Sequence, residues 1–241
     1  MKERSREDLE RVALISVVAL GAFAIGVAQH FKHRDQERVS SAHIKSLEKQ
    51  NEDLAYKASH DELTGLLNKP AWKEEIVRKM GLGKAFGIFF IDVDHFKDIN
   101  DKCGHEFGDT LLRMGSQVLS SNFRRKGDII THERLFSNGT DGQPEGSTGR
   151  LGGDEFGVIV SLKAENGDRP QDPEEQMANT LSYLTCLLDE FSDDMNSTTI
   201  IPKFGFSIGS AIWYPEHPVD PSTLVHMADT AMYKNKDEHR A

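Results

Sequence analysis

Two acidic pairs in this sequence have the residue types and spacing to hold a cation against a phosphate. Asp92 and Asp94 flank Val93 at the end of an apolar run, and Asp154 and Glu155 follow Gly152 and Gly153. Side chains of a strand alternate between faces, so residues two apart share one side and the two aspartates can converge. Consecutive glycines let the backbone approach a ligand closely, while gathered carboxylates repel one another unless a cation or proton joins them. Hard oxygen donors beside a phosphate substrate point to Mg2+, which polarises phosphoryl oxygens and lowers the pKa of a coordinated hydroxyl. Carboxylates alone are a modest signal, because 28% of the chain is charged and most such residues solvate a surface. Their position beside apolar strands and glycines strengthens it.

Such groups need a rigid frame. Residues 85–93, AFGIFFIDV, are apolar and aromatic without polar alternation, which predicts an interior strand with Asp92 and Asp94 at its C-terminal end. Before it, Pro70 opens a helix running to about residue 79. Residues 98–107 are expected to form a polar turn, and residues 108–122 a helix with Leu111, Leu112, Val118 and Leu119 toward the core. Residues 128–136 form a candidate strand, and the glycine-rich residues 137–149 a loop. Residues 150–160 turn tightly at the glycine pair and become another strand. A polar loop at 163–173 leads into an amphipathic helix over 174–191. Residues 203–213 resemble a central strand, and 221–236 a final helix carrying Leu224, Met227, Ala228, Ala231 and Met232. Strands alternating with helices, with one hairpin around 128–160, predict an α/β fold of helices on a mixed sheet. No G-x-G-x-x-G follows the first strand, which disfavours a simple parallel dinucleotide fold.

With 241 residues the chain can hold one sizeable domain and an appendage. A net charge of -10, from 39 acidic against 29 basic residues, argues against a long basic groove, so DNA or RNA is not expected as a partner. Cys103 and Cys186 are too few for a disulfide scaffold or a cysteine metal cluster. Cys103 lies in a polar, glycine-bearing segment and could be exposed; Cys186 lies in an apolar helical stretch and is expected buried. Residues 12–28 carry no charge and just suffice to span a bilayer, so they are read as a transmembrane helix after a short N-terminus, 1–11. A signal peptide competes with this reading, but the preceding residues are as acidic as they are basic. In the linker, 29–57, residues Ile44, Leu47 and Leu54, with Ala58 beyond it, follow spacings of three and four around a polar Asn51. That is a short seam able to pair two parallel helices as a coiled-coil stalk; a solvated connector is the plainer reading.

The longer motifs bring these features together. Gly152-Gly153-Asp154-Glu155-Phe156 spells the signature of the GGDEF family of diguanylate cyclases, and the chain resembles that family over about residues 55–240. HDELTGLLNK from His60, DVDHFKDINDKCGHEFGDTLL from Asp92, RLGGDEF from Arg150, SIGSA from Ser207 and ADTAMYKNK from Ala228 stand in family order. The resemblance implies a catalytic domain at 58–241, related to nucleotide cyclase and polymerase palm folds, with a central mixed sheet flanked by helices. It implies condensation of two GTP into cyclic di-GMP, with Mg2+, across a homodimer. Asp92, Asp154 and the Val93 carbonyl then serve the metal. Asp154, and second to it Glu155, would assist deprotonation of the 3′-hydroxyl. Asn100 and Asp109 match the guanine-reading positions and His105 a further substrate contact, while Lys236 and Arg240 match phosphate-binding positions. Asp94 is divided between a second-metal role and holding the loop after it. Catalysis on GTP implies a bacterial inner-membrane protein, single-pass, with its catalytic domain cytoplasmic.

The chain departs from the family pattern in two places. Arg125 and Asp128 match an RxxD product-inhibition site, yet an insertion at about 131–149 separates them from the signature. At the C-terminal end, Asn235 replaces a small residue and His239 a glycine, which weakens the match at Arg240 most. A non-catalytic module binding GTP or cyclic di-GMP is the alternative function; the intact Asp92, Asn100, Asp109, Asp154 and Glu155 favour the enzyme.

Overall fold

Every residue of β2 (Phe86–Val93) is buried, as its unbroken apolar run predicts. The computed structural model describes residues 20–21, 23, 30, 32–34, 40–41, 43–123, 146–162, 172–198 and 201–240. These fall into two units, Met1–Tyr56 and Lys57–Ala241. In the first, residues 43–56 are helical and Ile44, Leu47, Leu54 and Tyr56 are exposed. No helix among the described residues is long and apolar enough to cross a membrane. The predicted span at 12–28 lies, except for Leu20, Gly21 and Phe23, outside the described residues.

Among its described residues the second unit forms a mixed sheet of β2 with β1 (Leu67–Asn68), β3 (Gly146–Gly152), β4 (Glu155–Ser161) and β5 (Phe206–Trp213). The five strands lie in the order β1-β3-β4-β2-β5. Only the β1–β3 pair is parallel among the described strands. The helices are α1 (Lys69–Gly81), α2 (Phe96–Cys103), α3 (His105–Asn122), α4 (Pro173–Thr198) and α5 (Pro221–Arg240). Asn68 caps α1 by accepting from the Ala71 N–H at 3.1 Å, and Pro70 occupies the first turn, where its missing N–H costs nothing.

Strand alternation divides the core. Phe89, Ile91 and Val93 pack with Ile99 of α2, Leu111, Leu112 and Leu119 of α3, and Leu184 and Leu188 of α4. Phe86, Ile88 and Phe90 pack on the opposite face with Trp72 and Ile76 of α1 and Leu224, Ala228 and Met232 of α5. Glycines permit two close approaches on that second face. A Cβ at Gly149 or Gly157 would lie 2.7 or 2.6 Å from the Trp72 indole, and one at Gly209 only 2.1 Å from the Met232 backbone nitrogen.

Four expectations need correction. The polar turn at 98–107 is largely α2, because Phe96, Ile99 and Cys103 make an apolar stripe that the charged residues conceal. It ends at Gly104, whose φ of 87° closes the helix before α3 begins. The loop expected to reach residue 149 ends sooner, since 146–149 belong to β3. Their small side chains read as loop chemistry, but at Gly149 the missing Cβ is what packing against Trp72 demands. The 203–213 strand lies at an edge of the described sheet rather than its centre. Finally, Cys186, expected buried, is exposed, lying about 200° around α4 from the buried Leu184 and Leu188; Cys103 is half-buried against the core.

Candidate functional site

The alternation that buries Phe86, Ile88 and Phe90 continues to Asp92, which therefore emerges on the α1/α5 face at the end of β2. Antiparallel pairing sets Glu155, the first residue of β4, directly across from Asp92, and Ser207 of β5 on its other side. Between β3 and β4 the chain reverses through Gly152 and Gly153, with φ of 147° and 53°, conformations in which a Cβ would be strained. The Val93 N–H donates to the Asp154 carbonyl at 3.3 Å, tying this turn to the end of β2.

Two side chains hold the corner from outside the signature. Arg150 donates through Nε and Nη2 to the Gly153 carbonyl at 3.0 and 2.8 Å, and through Nη1 to Asp61 at 3.1 Å. Burial pushes the Asp61 carboxyl up, but hydrogen bonds from Thr64 and Arg150 outweigh it and hold the group below its usual range. Ser207 donates its hydroxyl to both Asp94 oxygens, at 2.8 and 3.0 Å, and the Asp94 N–H donates to the Gly205 carbonyl at 2.9 Å. These bonds tie Asp94 to β5 and the residue before it. Sequence reasoning assigned no role to Arg150, Asp61 or Ser207. An arginine two residues before a glycine pair, and the Asp61-x-x-Thr64 turn pattern, were the available signals.

Lys236 of α5 completes the corner. Its ammonium donates to Asp92 Oδ1 and lies 3.9 Å from Asp94 Oδ1. Asp92 is nevertheless shifted upward: burial raises its pKa most, the Lys236 bond lowers it, and the charges of Asp154 and Asp94 raise it again. Glu155 is raised too, first by burial, with Lys69 opposing and Asp92, Asp154 and Asp229 reinforcing. Negative charge is thus in excess here, which suits a cation. Among the described residues no group of three or more His, Cys, Asp or Glu side chains could by itself hold a metal ion. A metal held by Asp92, Asp154 and the Val93 carbonyl would therefore draw its remaining oxygen ligands from substrate or water.

The other predicted site residues lie across the sheet, on α2 and α3. Asn100 is half-buried and its Oδ1 has no hydrogen-bond partner among the described residues. It rests against Gly108, where a Cβ would stand 2.0 Å from that oxygen. Asp109 follows, half-buried, one turn beyond the exposed His105. A side-chain amide and a neighbouring carboxylate have the donors and acceptors to pair with a polar ligand edge. Val93, with its side chain in the core, can contribute only its main chain. Of Arg240 only its place in α5 is described, and Arg125 and Asp128 lie outside the described residues.

With this geometry in place, comparison with known proteins adds the following. The family model "Diguanylate cyclase, GGDEF domain" matches in two segments, 58–135 and 132–241, which meet where the insertion was expected. Diguanylate cyclase TpbB of Pseudomonas aeruginosa is 30% identical over 198 residues, covering 80% of this chain and 39% of that protein. Diguanylate cyclase DgcP of Escherichia coli is 31% identical over 203 residues, covering 80% of this chain and 49% of that one. The chain thus spans less than half of either relative. The crystal structure of the coiled coil and GGDEF domain of DgcB from Caulobacter crescentus, in complex with c-di-GMP, superposes with a TM-score of 0.61. It is 22% identical and covers 85% of this chain and 94% of that one, a likeness of fold.

Proposed function

The chain belongs to the diguanylate cyclase GGDEF-domain family, and from this premise we propose that it condenses two GTP molecules into cyclic di-GMP with release of two pyrophosphates. The observation that carries this reading is the corner itself. Asp92 and Glu155 are cross-strand neighbours beside a left-handed glycine turn bearing Asp154, with Lys236 bonded to Asp92.

Each O3′ forms a bond to the α-phosphorus of the opposite GTP as the bridge to the β-phosphate breaks, and the hydroxyl proton leaves to a base. Asp154, and second to it Glu155, are the groups assigned to assist that deprotonation. Mg2+ held by Asp92, Asp154 and the Val93 carbonyl would supply Lewis-acid polarisation of the phosphoryl oxygens. Asn100 and Asp109 accept from the guanine edge, with His105 as a further substrate contact. Lys236 and Arg240 are the basic groups assigned to the phosphates, joined by main-chain N–H groups where α2 begins after His95.

One domain binds one GTP, so a cyclic product requires two sites face to face. Holding two copies together removes much of the bimolecular entropy cost. The exposed Ile44, Leu47 and Leu54 on the linker helix supply the seam we assign to a homodimer. Residues 12–28 are assigned as the inner-membrane anchor with the catalytic domain in the cytoplasm, and Arg125 with Asp128 as the inhibitory product site. Incubating the purified chain with GTP and Mg2+ and separating the products tests the activity. Cyclic di-GMP and pyrophosphate are expected; GTP binding without a cyclic dinucleotide, in dimeric protein, would assign a sensor instead.

A further inference from the structure

We propose that Lys236 is an internal counter-ion, whose ammonium holds the Asp92 corner closed and must leave before a divalent cation and a phosphate can enter. The inference rests on reading this corner as the metal and phosphate site. Both members of the Lys236–Asp92 pair are largely withdrawn from solvent, with side-chain exposures of 14% and 12%, so their attraction is only weakly screened. Asp94 cannot turn away to relieve the crowding, because Ser207 occupies both its oxygens. The turn carrying Lys236 is held as well. The α5 backbone rests directly on Gly209, and the neighbouring Asn235 accepts from the Ile208 N–H at 3.2 Å. What remains mobile is the four-carbon stem of the lysine, whose ammonium is a compact charge free to swing.

One ammonium committed to Asp92 is not available to a phosphate beyond it, so the two partners are taken in turn. A dication at Asp92 displaces the ammonium, and a phosphate arriving with the metal receives it. Metal alone then binds weakly and metal with nucleotide binds as a unit. By linkage each strengthens the other to the same degree.

The test is titration of the nucleotide-free, full-length protein with Mn2+, followed by electron paramagnetic resonance. If the closed contact holds about nine times in ten, it weakens the apparent affinity about tenfold. Lys236→Met and Lys236→Gln should both bind Mn2+ about tenfold more tightly than the parent, and Asp92→Asn added to either should abolish the gain. Lys236→Arg, which keeps the charge, should not tighten binding. Circular dichroism establishes that each variant is folded. A readout needing no variant is amine acylation of the parent, mapped by mass spectrometry: Mn2+ alone should speed modification of Lys236 relative to Lys69. Equal Mn2+ affinity in parent and folded Lys236→Met, or unchanged acylation, would overturn the proposal. Failure to form cyclic di-GMP would instead remove the cyclase reading and leave these binding results standing.

Discussion

The two faces of the sheet end differently, although the same strands build both. On the α2/α3/α4 face, β2 and β4 finish in Val93 and Phe156, and the apolar core runs to the strand ends. On the α1/α5 face the alternation runs out into Asp92 and Glu155, with Asp154, Asp229, Lys69 and Lys236 acting on them. The first face obtains its polar groups from helices laid across it; the second makes them by extending a strand beyond its apolar run. Charge at a strand end is held rigidly, because its backbone is fixed by ladders on both sides. A substitution on the charged end should therefore move chemistry more than stability, and one in the packed part of the same face should do the opposite.

Asp154→Asn should give the largest effect. It keeps the carbonyl that receives the Val93 N–H but removes the charge assigned to the metal. Cyclic di-GMP formation should fall roughly a thousandfold, about 4 kcal/mol, with folded content unchanged. Parental turnover in a folded, dimeric variant would mean that the charged end is not the chemical end.

Gly209→Ala probes the packed part of that face. Its Cβ would meet α5 backbone at 2.1 and 2.2 Å, where no side-chain rotation can help, so a loss of about 3 kcal/mol is expected in urea unfolding. A loss below about 1 kcal/mol would show that α5 slides freely over β5, and would weaken the argument that Lys236 is held in place.

Gly108→Ala carries the comparison to the opposite face. The added methyl meets the tip of Asn100, which can turn aside, and alanine favours the helix, so stability should change little. Discrimination between GTP and ATP should drop about tenfold, the worth of one hydrogen bond. Unaltered discrimination would detach Asn100 from base reading.

The smallest effect is expected for Glu155→Gln. Burial, followed by the opposing Lys69 and then Asp92, Asp154 and Asp229, leaves Glu155 raised above 4.5 in the folded state. A raised acid favours the fold below its unfolded pKa and loses that contribution as pH rises through its folded value. The variant should therefore match the parent below about pH 4.5 and be slightly more stable at pH 7 in metal-free buffer. After solvent screening the gain is a fraction of a kcal/mol. Melting curves from pH 4 to 8 check this; a variant less stable at neutral pH would reverse the assigned sign.

Local patterns were legible where period and chemistry agree. The unbroken apolar run of β2, Pro70 in the first turn of α1, and the reversal at Gly152 and Gly153 all follow from short-range rules. They failed where a distant residue set the requirement. Small residues at 146–149 read as a loop until β3 is seen to carry Gly149 beneath Trp72, and the polar surface of α2 hid a stripe that only a core partner reveals. Cys186 was misplaced for a related reason, since an apolar stretch identifies a helix without saying which residues face inward.

By itself, then, the sequence determined the family, the strands and turn that carry Asp92, Asp154 and Glu155, and the polar types at Asn100 and Asp109. Those depend on residue type and neighbours along the chain. Only the tertiary structure decided that Arg150 spans from Asp61 to the Gly153 carbonyl, that Ser207 fixes Asp94, and that Lys236 closes on Asp92. Each of those contacts joins elements brought together by sheet order and helix packing, and no spacing along the chain specifies which distant partners will meet.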